Sequence, residues 1–189
     1  MEALTIPQDL IAEVVNGKPY YYKGYREVLD GQKRTEDLMG SSYVQAWIIE
    51  SVLHFLFLNV DRKTWRVLSN EVGLHMGLNH NRSCDIALFE KAQLAAIYDT
   101  EAYIALPPKV VIEVDIRLEA EERQADTDYL MEKTQDLLDF GVERVIWILT
   151  RSQKIYVAEP NKPWLVVDWH SPISLLPEVD FILSELLKD

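Results

Sequence analysis

One cysteine in 189 residues, Cys84, rules out an intrachain disulfide and fits a reducing compartment. Basic residues are outnumbered, 19 Lys and Arg against 31 Asp and Glu, for a formal charge of −12. That balance argues against a broadly cationic nucleic-acid surface, but it leaves room for a local groove or for a metal that offsets carboxylates. The 7 glycines include no phosphate-binding loop; Gly73 and Gly77 lack its pattern. The four histidines, His54, His75, His80 and His170, fall in no zinc spacing. The longest apolar stretch, Trp47 to Leu58, is interrupted by Glu50, Ser51 and His54, too short and too polar to span a bilayer. Met1 to Thr5 has no cationic segment followed by an apolar one, so no signal peptide is expected and the cytoplasm is the expected location. Repeats and low-complexity tracts are missing as well.

What the chain does contain is strand–helix–strand patterning at its centre. Lys109-Val110-Val111-Ile112-Glu113-Val114-Asp115-Ile116 and Arg144-Val145-Ile146-Trp147-Ile148-Leu149 are β-branched and apolar, with a segment of helical period between them. That order predicts a βαβ unit with parallel strands. Side chains alternate along a strand, so Val110, Ile112, Val114 and Ile116 share one apolar face, while Glu113 and Asp115 leave the other side by side. Isolated buried carboxylates are costly, so a cation, a metal or water must be close. On the helix, Leu130, Lys133 and Leu137 form one stripe and Gly141 is placed to end it. Lys133 either snorkels past its apolar neighbours to water or reaches back toward Glu113 and Asp115.

Around this centre, Pro7 to Val15 is predicted helical and closed by Asn16-Gly17, and Asp30-Gly31 predicts a hairpin with a return strand in Gln32 to Gly40. Ser41 or Ser42 caps a helix to about Asn59, apolar almost all round and therefore central. Glu50 within it is a surface residue, a hydrogen-bonded core residue or part of a site. Arg66 to Ser69 and Val72 to Met76 read as two short strands, Leu78 to Arg82 as a turn, and Ser83 to Phe89 as a strand carrying Asp85. Lys91 to Tyr98 reads as a short helix. Lys154 to Ala158 and Trp164 to Asp168 read as antiparallel strands, and Pro177 to Leu187 as a short helix. The expected organisation is one domain: hairpin and helix over about 1–60, core over about 61–150, and C-terminal strands and helix over 151–189.

A long helix with Glu50, a strand with Asp85, a strand with Glu113-x-Asp115 and a helix with Lys133 follow one another in the order of the restriction-endonuclease-like fold, a mixed α/β sheet flanked by helices. The closer resemblance is to the Uma-two family of candidate restriction endonucleases, long known as a domain of unknown function. Its matching pieces are Arg26-Glu27-Val28-Leu29-Asp30-Gly31, Arg82 to Leu88, Pro107 to Val114, Glu132-Lys133 and Phe140 to Trp147. Cys84 stands where that superfamily has proline, and Asp115 where it has lysine; Lys133 matches the family's helix lysine. The family's histidine near the start of the long helix has no counterpart at Tyr43 to Gln45.

The resemblance implies a Mg²⁺-dependent (or Mn²⁺-dependent) endonuclease acting on phosphodiester bonds, with double-stranded DNA as partner; because cutting both strands of a duplex needs two sites, a homodimer or higher homo-oligomer is expected. It implies a metal held by Asp85, Glu113 and the Val114 carbonyl. Asp115 would add a ligand or place a water, and Glu50 would reach the metal through water. Lys133 would orient the attacking water or stabilise charge on the phosphate. A non-catalytic module on the same fold, and a phosphodiesterase for RNA or branched DNA, are the competing expectations. Tyr20, Tyr21, Tyr22 and the Trp164 to Trp169 hairpin are the expected dimer contacts.

Overall fold

The computed structural model describes residues 6–15, 17–38, 40–95, 97, 101–115 and 123–188. A short hairpin opens the chain, β1 (Ile11–Val15) against β2 (Lys18–Tyr21), followed by α1 (Tyr25–Leu29) and the long α2 (Tyr43–Asn59). Next come β3 (Trp65–Gly77), β4 (His80–Glu90), α3 (Lys91–Leu94), β5 (Val110–Asp115), α4 (Arg123–Phe140) and β6 (Arg144–Leu149). The chain ends with β7 (Lys154–Ala158), β8 (Leu165–Asp168), β9 (Ile173–Leu176), β10 (Val179–Phe181) and α5 (Leu183–Leu186). Six strands form the central sheet in the order β3-β4-β5-β6-β7-β8. Only β5 and β6 run parallel, in register from Val110–Arg144 to Asp115–Leu149, and the other neighbours are antiparallel. This is the mixed sheet flanked by helices expected of a restriction-endonuclease-like fold.

Alternation along the buried strands divides the core in two. Ile112 and Val114 of β5 and Ile86 and Leu88 of β4 pack with Ile48, Val52 and Leu56 of α2 and with Ile173, Phe181 and Leu183 from the C-terminal elements. Val111 and Ala87 face the other way, with Val145, Trp147 and Leu149 of β6, against Leu130 and Leu137 of α4. That second face is also where Glu113 and Lys133 lie. Helix α4 ends in a Schellman arrangement: Gly141 N–H donates to the Leu138 carbonyl, and Val142 N–H to that of Leu137. Gly141 takes φ +113°, and an added Cβ would press to 3.2 Å from Pro107, so this turn requires glycine. Thr134, buried on α4, accepts the Trp147 indole N–H at 2.8 Å and ties the helix to β6.

Several local expectations change. Pro7 to Val15 is a 3₁₀ turn (Gln8–Leu10) and then strand β1, because the chain turns back into β2 at Gly17, φ +77°, instead of closing a helix. Asp30-Gly31 ends the short α1, and Gln32 to Gly40 holds a 3₁₀ turn (Thr35–Leu38) in place of a return strand. The two strands expected at Arg66 and Val72 are one strand, β3, with a bulge between them. The turn at Leu78 is tighter than expected, and β4 already begins at His80. The C-terminal helix is reduced to α5; β9 and β10 precede it as a hairpin with Glu178 at φ +65°. Helix α2 is one-sided: Tyr43, Phe57 and Leu58 are exposed while Ile48, Val52 and Leu56 are buried. Among the described residues no helix is long and apolar enough to cross a membrane.

Two of the three tyrosines expected as outer contacts, Tyr20 and Tyr21, make contacts within the chain, and Tyr22 lines a cavity. Tyr20 donates to Glu132 at 2.7 and 2.8 Å, and Tyr21 stacks on Tyr25 at 4.7 Å between ring centres. On the C-terminal hairpin, Leu165 and Val166 of edge strand β8 are exposed.

Candidate active site

The site grows from the place where β4 and β5 part. Their ladder runs through Ala87–Val111 and Ile86–Ile112 and stops there. Beyond it the Val114 backbone is satisfied by side chains. Its N–H donates to Asp85 Oδ2 at 2.7 Å, and its carbonyl accepts from Gln45 Nε2 of α2 at 3.0 Å. Opposite Asp85, β3 carries its bulge. Ser69 pairs with Ile86 and Val72 with Cys84, so Asn70 and Glu71 stand against Asp85 alone. Both bulge residues have positive φ, 77° and 53°. Such bulges bend a strand and re-aim side chains, and they are common beside active sites.

A cavity of about 860 Å³ opens here, lined among others by Gln45, Glu50 and His54 of α2, by Asn70 and Glu71 of the bulge, and by Asp85. Burial raises the Asp85 carboxyl above its ordinary range, against the Val114 N–H and Lys133, which lower it; Glu71 adds to the rise. Glu50, expected to reach a metal through water, opens on the same cavity from one turn beyond Gln45. Asp115 closes β5 opposite Leu149; its side chain lies outside the described residues.

Glu113 and Lys133 meet on the α4 face of the same strand. Lys133 Nζ is 3.1 Å from Glu113 Oε1 and 3.4 Å from Glu13 Oε1, and the three side chains are 5–8% exposed. Lys133 therefore does not snorkel to water. Its ammonium also sits 5.7 Å from the ring centres of Tyr129 and Trp147. Neither Glu113 nor Lys133 lines the cavity beside Asp85. Among the described residues Glu113 Oε1 is a buried oxygen with no aligned hydrogen-bond donor, despite the nearby ammonium.

The charges of this group are unequal. Burial pushes Glu113 up to about 8, with Lys133 pulling it down and Asp85 pushing it further up. Burial would lower Lys133, but Glu113, Tyr129 and Glu13 outweigh it and hold the ammonium well above its usual range. Glu13 goes the other way: burial is overcome by Lys133, the Ser83 N–H and Arg82, and its carboxyl falls to about 2. At neutral pH Glu13 is thus the fully ionised partner of Lys133.

Glu13 and Arg82 received no role from the sequence. Glu13 is carried in by β1, and reading that segment as a helix hid it; the signal was the Asn16-Gly17 hairpin dipeptide between strand-like runs. Arg82, with a fully buried side chain, donates to Glu13 at 2.9 Å, to Asp136 at 2.5 and 3.0 Å and to Glu132 at 3.4 Å. Its guanidinium lies 5.5 Å from the ring centres of both Tyr20 and Tyr129. Among the described residues, no three His, Cys, Asp or Glu side chains gather closely enough to hold a metal by themselves. The candidate donors are the carboxylates Asp85 and Glu113 and the Val114 carbonyl.

The arrangement combines two acids on neighbouring strands, a buried lysine and an open acidic cavity at a sheet in which β5 and β6 run parallel. No protein-family model matches the chain, and no curated protein matches it. It is similar in structure to a protein from Anabaena variabilis described as a candidate nuclease of the DUF820 family. The identity is 16%, the TM-score is 0.65, and the match covers 92% of this chain and 87% of that one. The two chains share a fold.

Proposed function

We propose that this protein is a divalent-metal-dependent endonuclease that hydrolyses phosphodiester bonds in double-stranded DNA. The observation that carries the reading is the linkage across β5: Asp85 is bound to the Val114 N–H at 2.7 Å, and the adjacent Glu113 meets Lys133 at 3.1 Å. The likeness to a candidate nuclease points the same way.

The donors fit a hard cation. Glu113 offers a buried oxygen without a donor, and the Val114 carbonyl keeps a second lone pair beside the Gln45 bond. Two carboxylates and a carbonyl leave further positions to water and phosphate, the preference of Mg²⁺, with Mn²⁺ as substitute. When bound, the cation would lower the pKa of a water and offset phosphate charge. The chain's own residues do the rest. Asp85, Glu113 and the Val114 carbonyl would hold the cation, with Gln45 keeping that carbonyl aimed. Lys133 orients the water or stabilises charge on the phosphate. Glu50 and Asp115 position water. Cutting both strands of a duplex calls for two sites, hence a symmetric dimer.

The test is calorimetry with Mg²⁺ and Mn²⁺ beside a plasmid-nicking assay. Asp85→Ala and Glu113→Ala are each expected to weaken metal binding and stop nicking; unchanged affinity in both variants would remove their assignment. One observation favours a second reading. Glu113 and Lys133 are buried away from the cavity, as in a structural acid–lysine pair of a non-catalytic module. Nucleic-acid binding without cutting in either metal would establish it, and cutting confined to RNA or branched DNA would redirect the substrate.

The raised Glu113 carboxyl sets the pH dependence. A cation binds the carboxylate, so below about pH 8 binding must expel a proton. Metal affinity is therefore expected to rise by about tenfold per pH unit between pH 6 and 8 and then level off. Titrations in buffers of different ionisation enthalpy should show close to one proton released at pH 6.5. A flat profile would place Glu113 outside the metal site.

A further inference from the structure

We infer that Glu13, on the N-terminal hairpin, is the positioning residue for Lys133: it holds the lysine ammonium over Glu113 and makes the hairpin part of the active unit. This rests on the nuclease reading of Lys133. Glu113 Oε1, 3.1 Å away, and Glu13 Oε1 both meet the ammonium as ion pairs and not as aligned hydrogen bonds, so neither carboxylate fixes it alone. Glu13 supplies the second side of the grip at 3.4 Å.

Glu13 itself is immobilised. Its Oε1 accepts from the Ser83 N–H at 3.0 Å and from Ser83 Oγ at 3.2 Å. Its Oε2 accepts from Arg82 Nη1 and from the Tyr129 hydroxyl, both at 2.9 Å. Four donors on two oxygens leave that carboxylate little freedom to turn, so a lysine paired to it inherits its place. The Tyr129 ring adds a wall beside the ammonium, and Trp147, anchored through Thr134, another. Glu13 arrives from a two-stranded sheet separate from the central one. Hairpins of that kind are weakly stable by themselves, and this one is held to the body through Arg82, Ser83 and Tyr129. The position of the lysine thus depends on residues about 120 positions earlier in the chain.

The test uses the full chain with Glu13→Gln, which keeps shape and the acceptor for Ser83 but removes the charge. Three quantities are read: the rate at which Lys133 is labelled by trinitrobenzenesulfonate, followed by peptide mass spectrometry; kcat and KM for plasmid nicking; and unfolding by urea. A folded variant is expected to label Lys133 at least about tenfold faster and to lose roughly 10- to 100-fold in kcat with KM little changed, since losing an orienting contact acts on the chemical step. Glu13→Asp should recover part of both. Labelling and turnover at wild-type levels in a folded Glu13→Gln protein would overturn the inference, as would a loss of turnover that only follows the unfolded fraction. Should that variant not fold, Tyr129→Phe and Ser83→Ala each remove one donor to Glu13 and leave the charges, and faster labelling of Lys133 is again expected. If the wild-type protein cuts no nucleic acid, the nuclease reading fails, while the labelling rate still decides whether Glu13 holds Lys133.

Discussion

A Lys133→Met protein is expected to fold, to bind metal at alkaline pH as well as or better than the wild type, and to cleave DNA roughly 10²-fold more slowly or worse, the scale of losing one electrostatic donor. The methionine keeps the length of the lysine stem on α4, where the residue is buried. Glu13 would still hold the Ser83, Arg82 and Tyr129 donors, and Glu113, already raised to about 8, would simply keep its proton near neutral pH. Removing a positive charge 3.1 Å from Glu113 takes away repulsion against a cation bound there, but it also lifts the carboxyl that Lys133 had pulled down, so the gain in affinity is read at alkaline pH, where Glu113 is ionised. Binding and cleavage must be measured on one preparation. Wild-type cleavage by a folded Lys133→Met protein would refute a catalytic lysine, and weakened metal binding would show that the lysine organises Glu113 instead.

Arg82→Ala is expected to be the most destabilising single change at this site, by about 3–5 kcal/mol, the usual result of taking one partner out of a buried ionic group. Arg82 is the cation that Glu13 and Asp136 share, and its removal leaves the buried Glu13 and the partly buried Asp136 each short of a partner. It also empties the space between Tyr20 and Tyr129. For a chain of this size the corresponding fall in Tm is on the order of 10 °C. Urea unfolding monitored by circular dichroism measures it directly. Arg82→Lys is expected to recover only part, because a single ammonium does not reproduce the planar fork that meets Glu13 and Asp136 at once. A loss under about 1 kcal/mol would mean that desolvation of this group cancels its pairing in the folded state.

Periodicity alone determined a good deal of this protein. The β5–α4–β6 unit and the division of Val110, Ile112 and Val114 from Val111 and Glu113 follow from side chains alternating every 2 or 3.6 residues, and the Gly141 stop and a serine cap on α2, at Ser41 or Ser42 until the structure chose Ser42, from the chemistry of helix ends. These are local properties, legible wherever apolar spacing is strong. Where patterning was weak, at the N-terminal hairpin and the C-terminal β9–β10 hairpin, helix and strand fitted the same short runs, and only pairing with another segment chose strand.

The site divides along the same line. Glu113 and Lys133 stood out in the sequence because a carboxylate on an apolar strand and a lysine on an apolar stripe need partners, while Asp85, which also reads as a turn residue at a strand start, was singled out by the family resemblance. Which partners they have was not readable. Tertiary structure brought Glu13 and Arg82 to Lys133 and Glu113, placed a bulge opposite Asp85, and parted β4 from β5 so that Val114 bonds to side chains. Each depends on contacts between segments far apart in the chain, and a buried charge takes whichever opposite charge the packing delivers, not the nearest one in sequence.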